Sequence, residues 1–220
     1  MEIIYLGHAA FKIRGKQASV VMDPYDAKVS KFPKDVEADI VTVSHQHPDH
    51  NAVDQVMGPS AGSGPFVING PGEYEVGGVS VIGVATYHDN QEGKERGANT
   101  VYVVEMDGLR LAHLGDLGHK LTEKQLEEMG AIDIVFVPVG GFYTIDAKTA
   151  AEVVKQVEAQ IAIPMHYAQL STDPGIASKL AGVEGFLKEM GKTEVAAQPK
   201  LVVTADKLPT EPEVVVLERK

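Results

Sequence analysis

Three histidines fall within six residues in the segment Ser44-His45-Gln46-His47-Pro48-Asp49-His50. His45 and His47 are two apart, so in extended chain they point the same way and can grip one cation. Asp49 and His50 lie beyond Pro48, point differently, and can serve a second cation close by. Imidazole nitrogens and carboxylate oxygens suit zinc, and also iron, manganese or nickel. A lone histidine reads as a satisfied strand-end residue. Four ligand-type residues in six, directly after an apolar run, read instead as a metal site.

Further ligand-type residues recur in one kind of place. Asp23, His88, Asp116 and His166 each stand just beyond the C-terminal end of a predicted strand, where α/β sheets commonly build their sites. Singly, each is a turn residue or a cap. Jointly they describe one site fed by several strands.

The elements that must position them follow from periodicity and turn chemistry. Strands are expected at Glu2–Leu6, Ala10–Ile13, Ser19–Met22, Asp39–Ser44, Phe66–Asn69, Glu73–Val76, Val79–Tyr87, Thr100–Met106 and Leu109–Leu114. Gly77-Gly78 and Asp107-Gly108 suit two-residue hairpin loops with positive φ. The second half alternates helix and strand. A Thr122–Gln125 capping box, with Leu121 and Leu126 as its hydrophobic staple, predicts a helix of roughly ten residues. Asp146 caps a helix with Ala147, Ala150, Val154 and Val157 on one face. Strands are expected at Ile132–Pro138, Ile161–Ile163, Lys200–Thr204 and Val214–Leu217, with helical material from Asp173-Pro174 to near Gly191. Strand-rich and helix–strand halves together predict one α/β domain over residues 1–220, with sheets inside and helices outside.

Composition excludes several classes of function. Net charge is −11 over 220 residues, which argues against nucleic acid as a partner. Hydrophobic residues make up 44% of the chain, enough for a sizeable core. Without cysteine there are no disulfides, thiolate metal sites or cysteine nucleophiles. No apolar run approaches the ~18 residues of a spanning helix. The first residues lack the basic head and apolar stretch of a signal peptide, so a cytoplasmic protein is expected.

The order Asp23, His45-x-His47-x-Asp49-His50, His88, Asp116 and His166 resembles the metallo-β-lactamase superfamily, over about residues 2–170. Tyr5-Leu6-Gly7-His8, Asp23-Pro24, His113-Leu114-Gly115-Asp116 and Pro164-Met165-His166-Tyr167 look like its branch of small metal-dependent hydrolases, which includes L-ascorbate-6-phosphate lactonase-like proteins. The resemblance implies a four-layered αββα sandwich with a dinuclear site between the ends of its sheets. It implies that His45, His47 and His88 hold one metal, that Asp49, His50 and His166 hold another, and that Asp116 bridges them. His113 is an alternative to His88. Otherwise it joins His8 near the site, in support of the ligands or in contact with substrate. Asp23 is expected to support the histidine loop through hydrogen bonds.

Zinc is the metal implied, with manganese or iron as alternatives. The expected reaction is attack by metal-activated hydroxide on an ester, lactone, amide or phosphodiester of a small molecule, with Asp49 and Asp116 as its catalytic carboxylates. Asp49 orients the hydroxide or accepts its proton. Tyr143 and Thr144 stand where they can reach substrate. Arg96 reads as a loop charge and is one of few cations placed to meet an anionic substrate; His119 reads as solvated. Two rivals stay open: an iron-dependent oxidoreductase resembling persulfide dioxygenases, and a metal-binding protein without catalysis. The apolar Val214–Leu217 segment can cover a sheet edge or pair between subunits of a homo-oligomer.

Overall fold

The computed structural model describes residues 1–60, 62–169, 175 and 178–220. The helix start expected at Asp173-Pro174 lies outside the described residues. In the first half the strands are β1 (Glu2–Gly7), β2 (Ala10–Arg14), β3 (Ser19–Met22), β4 (Ile40–Thr42) and β5 (Phe66–Ile68). They are followed by β6 (Gly72–Val76), β7 (Val79–Tyr87), β8 (Ala98–Met106) and β9 (Leu109–His113). The second half adds α1 (Glu123–Met129), β10 (Ile134–Pro138), α2 (Ala147–Val157), β11 (Ile161–Met165), α3 (Glu184–Glu189), β12 (Leu201–Val202) and β13 (Glu213–Val214).

These strands form two mixed sheets, ordered β12-β1-β2-β3-β4-β5 and β13-β11-β10-β9-β8-β7-β6. The pairings β3–β4–β5 and β9–β10–β11–β13 are parallel, and the remainder are antiparallel. Parallel neighbours end at the same edge, so the turns after β3, β4, β9 and β11 converge there.

Period-two burial explains why the sheets stack. On β8, Tyr102 and Val104 face the other sheet while Val101 and Val103 face the helices. On β10, Phe136 and Ile134 divide from Val135 and Val137 in the same way. The inter-sheet core gathers Phe11, Ile13, Val20, Met22, Ile40 and their partners; Phe11 and Phe136 meet as a tilted pair, their ring centroids 4.4 Å apart. Each such side chain contributes about 1.5–3 kcal/mol on burial. Helices α1, α2 and α3 cover the outer face of the second sheet. The outer face of the first sheet is covered by chain between β3 and β5, with Tyr25, Val29, Phe32, Val36 and Val56 against Val21 and Val41. The result is the expected α/β sandwich.

Turn chemistry behaves as the sequence predicts. Gly77 and Gly78 (φ 58° and 78°) and Asp107 and Gly108 (φ 53° and 76°) close their hairpins. The Thr122–Gln125 capping box is present. Helix α1 spans seven residues rather than ten, because Gly130 turns the chain away at φ 65°. Strand β4 is shorter than the Asp39–Ser44 run. At its far end the Ser44 N–H leaves the ladder and donates to Asp23 Oδ1 (2.7 Å). The Val214–Leu217 segment is only partly strand: Leu217 bridges to Gln198, and Val214, Val216 and Leu217 are buried within the chain. No helix among the described residues is long and apolar enough to cross a membrane.

Candidate metal centre

The turns after β1, β3, β4, β7, β9 and β11 meet at one edge of the sandwich, and the chain is strained there. His8, Asp23 and His166 directly follow β1, β3 and β11 with φ of 55°, 44° and 51°. A left-handed conformation costs such residues roughly 1–2 kcal/mol each. Each turn aims a side chain inward at the cost of its backbone. Gly115, before Asp116, must be glycine: a Cβ there would stand 2.4 Å from Asn99 Oδ1 and 2.6 Å from Ser44 Cβ.

Asp116 is the hub. Its Oδ2 lies 3.3 Å from His50 Nε2, 3.2 Å from His88 Nε2, 3.3 Å from His166 Nε2 and 4.0 Å from His45 Nε2. All five residues are buried. Yet Nε2 of His45, His50 and His166 and Oδ1 of Asp116 have no hydrogen-bond partner among the described residues. A buried polar atom without a partner costs on the order of 1–3 kcal/mol, so several aimed at one point describe a site for a cation. Three overlapping groups bring ligand atoms within 4.8 Å of one another: His45 with His47 and His88; His45 with His50 and Asp116; and His8 with Asp49, His50 and His166. Soft-to-borderline imidazole and hard carboxylate together fit a divalent transition metal.

Neighbouring groups fix the direction of these rings. Asp23, fully buried, accepts His50 Nδ1–H (2.8 Å), Ser44 N–H (2.7 Å) and Ser44 Oγ–H (2.5 Å). His50 therefore presents Nε2 to the centre. Ser44 Oγ, having given its proton to Asp23, accepts His45 Nδ1–H at 3.0 Å, which turns His45 Nε2 inward as well. Asn99 does the same for the hub: its Oδ1 accepts Asp116 N–H (3.0 Å) while its Nδ2 donates to Thr86 Oγ1 (2.7 Å) and Leu114 O (3.0 Å). Sequence reasoning overlooked Asn99. Its signal was an amide standing directly before the mostly apolar run of strand β8.

Charge follows burial and neighbours. Burial, with His50 acting the same way, drives the His45 imidazole down to about 3. Burial and His166 bring His8 down to about 4. Both offer lone pairs at neutral pH. Burial also disfavours charge on His50, but Asp116 and Asp49 outweigh it and hold that imidazole well above its usual range. Burial likewise opposes ionisation of Asp116 and Asp49. His166 and His50 hold Asp116 well below the carboxylate range, and His50 with the His8 hydrogen bond does so for Asp49.

The remaining candidates divide. His8 donates from Nε2 to Asp49 Oδ2 (3.3 Å) at the mouth of the centre. His113 is spent on the scaffold: Nε2–H donates to Ala9 O (2.8 Å) and Nδ1 accepts Gly115 N–H (3.3 Å), leaving His88 beside His45 and His47. His119 is half-buried rather than solvated, because Nδ1–H donates to Lys120 O (2.7 Å) and Nε2 accepts Tyr87 N–H (3.1 Å). A cleft of ≈ 410 Å³ opens over the centre, with His8, Asp49, Asp116, His166, Arg96 and Tyr143 among its walls. Thr144 is not among the residues lining it.

Comparison with known proteins agrees with this architecture. A profile described as "Beta-lactamase superfamily domain" matches residues 2–166. A UPF0173 metal-dependent hydrolase of Thermococcus onnurineus is 31% identical over 208 residues, covering 83% of this chain and 92% of the relative. Another, of Thermoplasma acidophilum, is 33% identical over 212 residues, covering 84% and 92%. The crystal structure of a candidate Zn-dependent hydrolase of the metallo-beta-lactamase superfamily from Thermotoga maritima superposes with a TM-score of 0.78 at 39% identity, covering 98% of this chain and 97% of that one. The chain belongs to the metallo-β-lactamase superfamily and, within it, to the UPF0173 metal-dependent hydrolases.

Proposed function

We propose that this metal-dependent hydrolase holds two divalent cations, zinc in the first place, and cleaves an ester, lactone, amide or phosphodiester bond of a small molecule. The observation that carries the reading is the set of buried, unpartnered imidazole nitrogens around Asp116. His45, His47 and His88 make one ligand face, Asp49, His50 and His166 the other, and Asp116 stands between them. Cations bound there lower the pKa of a water toward ~7 and polarise the scissile carbonyl or phosphoryl oxygen.

The chain's own residues do the positioning. Asp23 and Ser44 hold His50 and His45 in the tautomers that face the centre. Asp49, its carboxylate 30% exposed toward the cleft, orients the attacking water or takes its proton. His8 donates to that carboxylate and sets its direction. Tyr143, on the cleft wall, contacts substrate. A cleft of ≈ 410 Å³ suits a small molecule. The net charge of −11 disfavours a nucleic-acid chain. Motifs similar to those of L-ascorbate-6-phosphate lactonase-like proteins place lactones and esters first among substrates to try.

The test is metal content per chain by elemental analysis, followed by a substrate screen. About two zinc or manganese ions per chain are expected, with turnover of lactones, esters or phosphodiesters that chelation removes and the metal restores. A single iron ion would replace hydrolysis by iron-dependent oxidation. Two ions without turnover would leave a metal-binding protein, and failure to take up any metal on titration would overturn the centre itself.

A further inference from the structure

We infer that Arg96 is a binding residue for an anionic group of the substrate, a carboxylate or a phosphate, held on the cleft wall beside the metal centre. The inference rests on the proposed hydrolase reading for the use of the cleft, and on different residues for its argument.

Arg96 belongs to the loop between β7 and β8, which is wound around one side chain. The Asp89 carboxylate accepts N–H groups from Gln91 (2.8 Å), Gly93 (2.9 Å), Glu95 (2.9 Å) and Arg96 itself (2.8 Å). The loop closes where His88 N–H donates to Gly97 O (3.0 Å), so Arg96 is tied to the same turn that carries a ligand histidine. Across the cleft, the Arg96 Nη1 donates to the carbonyls of Phe142 (2.9 Å) and Tyr143 (2.8 Å). Its guanidinium carbon lies 5.5 Å from the Tyr143 ring centroid. The side chain is thus fixed from both ends, and such pre-ordering lowers the entropy lost on binding.

What holds it is backbone carbonyl and ring, not a counter-ion. Among the described residues no carboxylate lies within ion-pair distance of this guanidinium, and Nε and Nη2 have no protein acceptor. It is half-buried and lines the cleft together with Asp49, Asp116 and His166. A partly desolvated cation without a counter-ion is costly, and an arriving anion recovers that cost. The unspent Nε–Nη2 edge is the fork that takes a carboxylate or phosphate in two parallel bonds. Lys28 lines the same cleft from the exposed side and adds a weaker, salt-screened attraction.

The test pairs substrates that differ in charge. With the metal-loaded protein, 4-nitrophenyl acetate (neutral) and 4-nitrophenyl hemisuccinate (anionic) are compared for wild type, Arg96→Lys and Arg96→Gln. The glutamine variant retains a donor for the two carbonyls but no charge. Loss of a charged, forked hydrogen bond raises KM for the hemisuccinate on the order of ten- to hundred-fold in Arg96→Gln, and less in Arg96→Lys, while the acetate keeps its kcat/KM within about two-fold. Equal losses on both esters would make Arg96 a brace for its loop and overturn the inference, as would no loss on either. Calorimetric binding of phenyl phosphate, benzoate and neutral benzamide to the metal-free chain reads the same site without turnover. The tighter of the two anions identifies the group preferred, and both should weaken in Arg96→Gln while benzamide does not. If neither ester is hydrolysed but these anions bind through Arg96, ester hydrolysis is struck from the proposed reaction and the anion site stands. If the esters are hydrolysed but anions bind no better than benzamide, the anion site fails and the hydrolase reading stands.

Discussion

The middle of the sandwich and its ligand-bearing edge are built from the same strands under opposite rules. In the middle, Phe11, Met22, Tyr102 and Phe136 are fully buried and apolar contact satisfies them. At the edge, in the turns that follow β4, β9 and β11 of the same two sheets, His45, His50, Asp116 and His166 are also buried but leave polar atoms unpartnered. Three of the turn residues there also hold left-handed backbone. The middle supplies stability, and the edge spends part of it to keep ligand atoms converged without their partner. A cation at the edge supplies the missing interaction, so binding and stability are coupled there and independent in the middle.

The sharpest break of this comparison is Asp116→Asn. It keeps the shape of the hub and removes its charge, so metal uptake and turnover should fall together by about a thousand-fold or more, read by titration and by initial rates. A variant with full activity would remove Asp116 from the centre.

Acid separates the two regions without mutation. His45 and His8 titrate near 6.5 in the unfolded chain but at about 3 and about 4 in the fold. Between these values the unfolded state binds the extra protons, so the stability that these residues contribute is complete above pH 6.5 and is lost as pH falls toward 4. His50 shifts the other way; its contribution is complete below pH 6.5 and drains as pH rises, so it does not mask the acid loss. The metal-free chain should therefore lose on the order of several kcal/mol from pH 6.5 to 4, seen in denaturant unfolding. An apolar middle has no such dependence, and a flat profile would mean the imidazoles are solvated.

Phe136→Ala is the converse probe. Removing a ring from the inter-sheet core should cost ~3–5 kcal/mol of stability. Metal stoichiometry of the folded fraction should be unchanged. Asp23→Asn touches both regions' boundary: it keeps the volume but weakens acceptance from His50 and Ser44, so metal affinity should fall ten- to hundred-fold with a smaller loss of stability.

How much of this was legible beforehand follows the same division. Strand positions were readable from alternation, because period two decides which face is buried. The ligand set was readable because His45, His47, Asp49 and His50 crowd one turn. What could not be read were contacts made across the fold. That His113 is bound at both nitrogens, and that Asn99 holds the backbone of Asp116, depend on β9 and β8 meeting residues far away in sequence. The ends of β4 and α1 were overrun for a similar reason: Ser44 is drawn off by Asp23, and Gly130 ends its helix at positive φ. The Asp89-centred loop gave no pattern at all, since its order comes from four backbone N–H groups gathering on one carboxylate.

The smallest expected effect tests whether strain is special to the edge. Glu158, at the C-terminal end of α2 and away from the centre, also holds left-handed backbone at φ 56°. There the conformation closes a helix, with the Glu158 N–H donating to Val154 O at 3.1 Å, and it serves no ligand. Glycine adopts this region without the Cβ penalty, so Glu158→Gly should raise stability by up to ~1 kcal/mol, net of the backbone entropy glycine costs in the unfolded chain. His166→Gly relieves the same penalty at φ 51° but removes a ligand-type imidazole. Because it also empties a buried position and takes a neighbour from the Asp116 carboxylate, its gain in the metal-free chain should be smaller than that of Glu158→Gly, and added metal should stabilise wild type but not the variant. If both variants responded identically to metal, the left-handed turns at the edge would be ordinary helix-cap geometry, and the contrast between edge and middle would reduce to polarity alone.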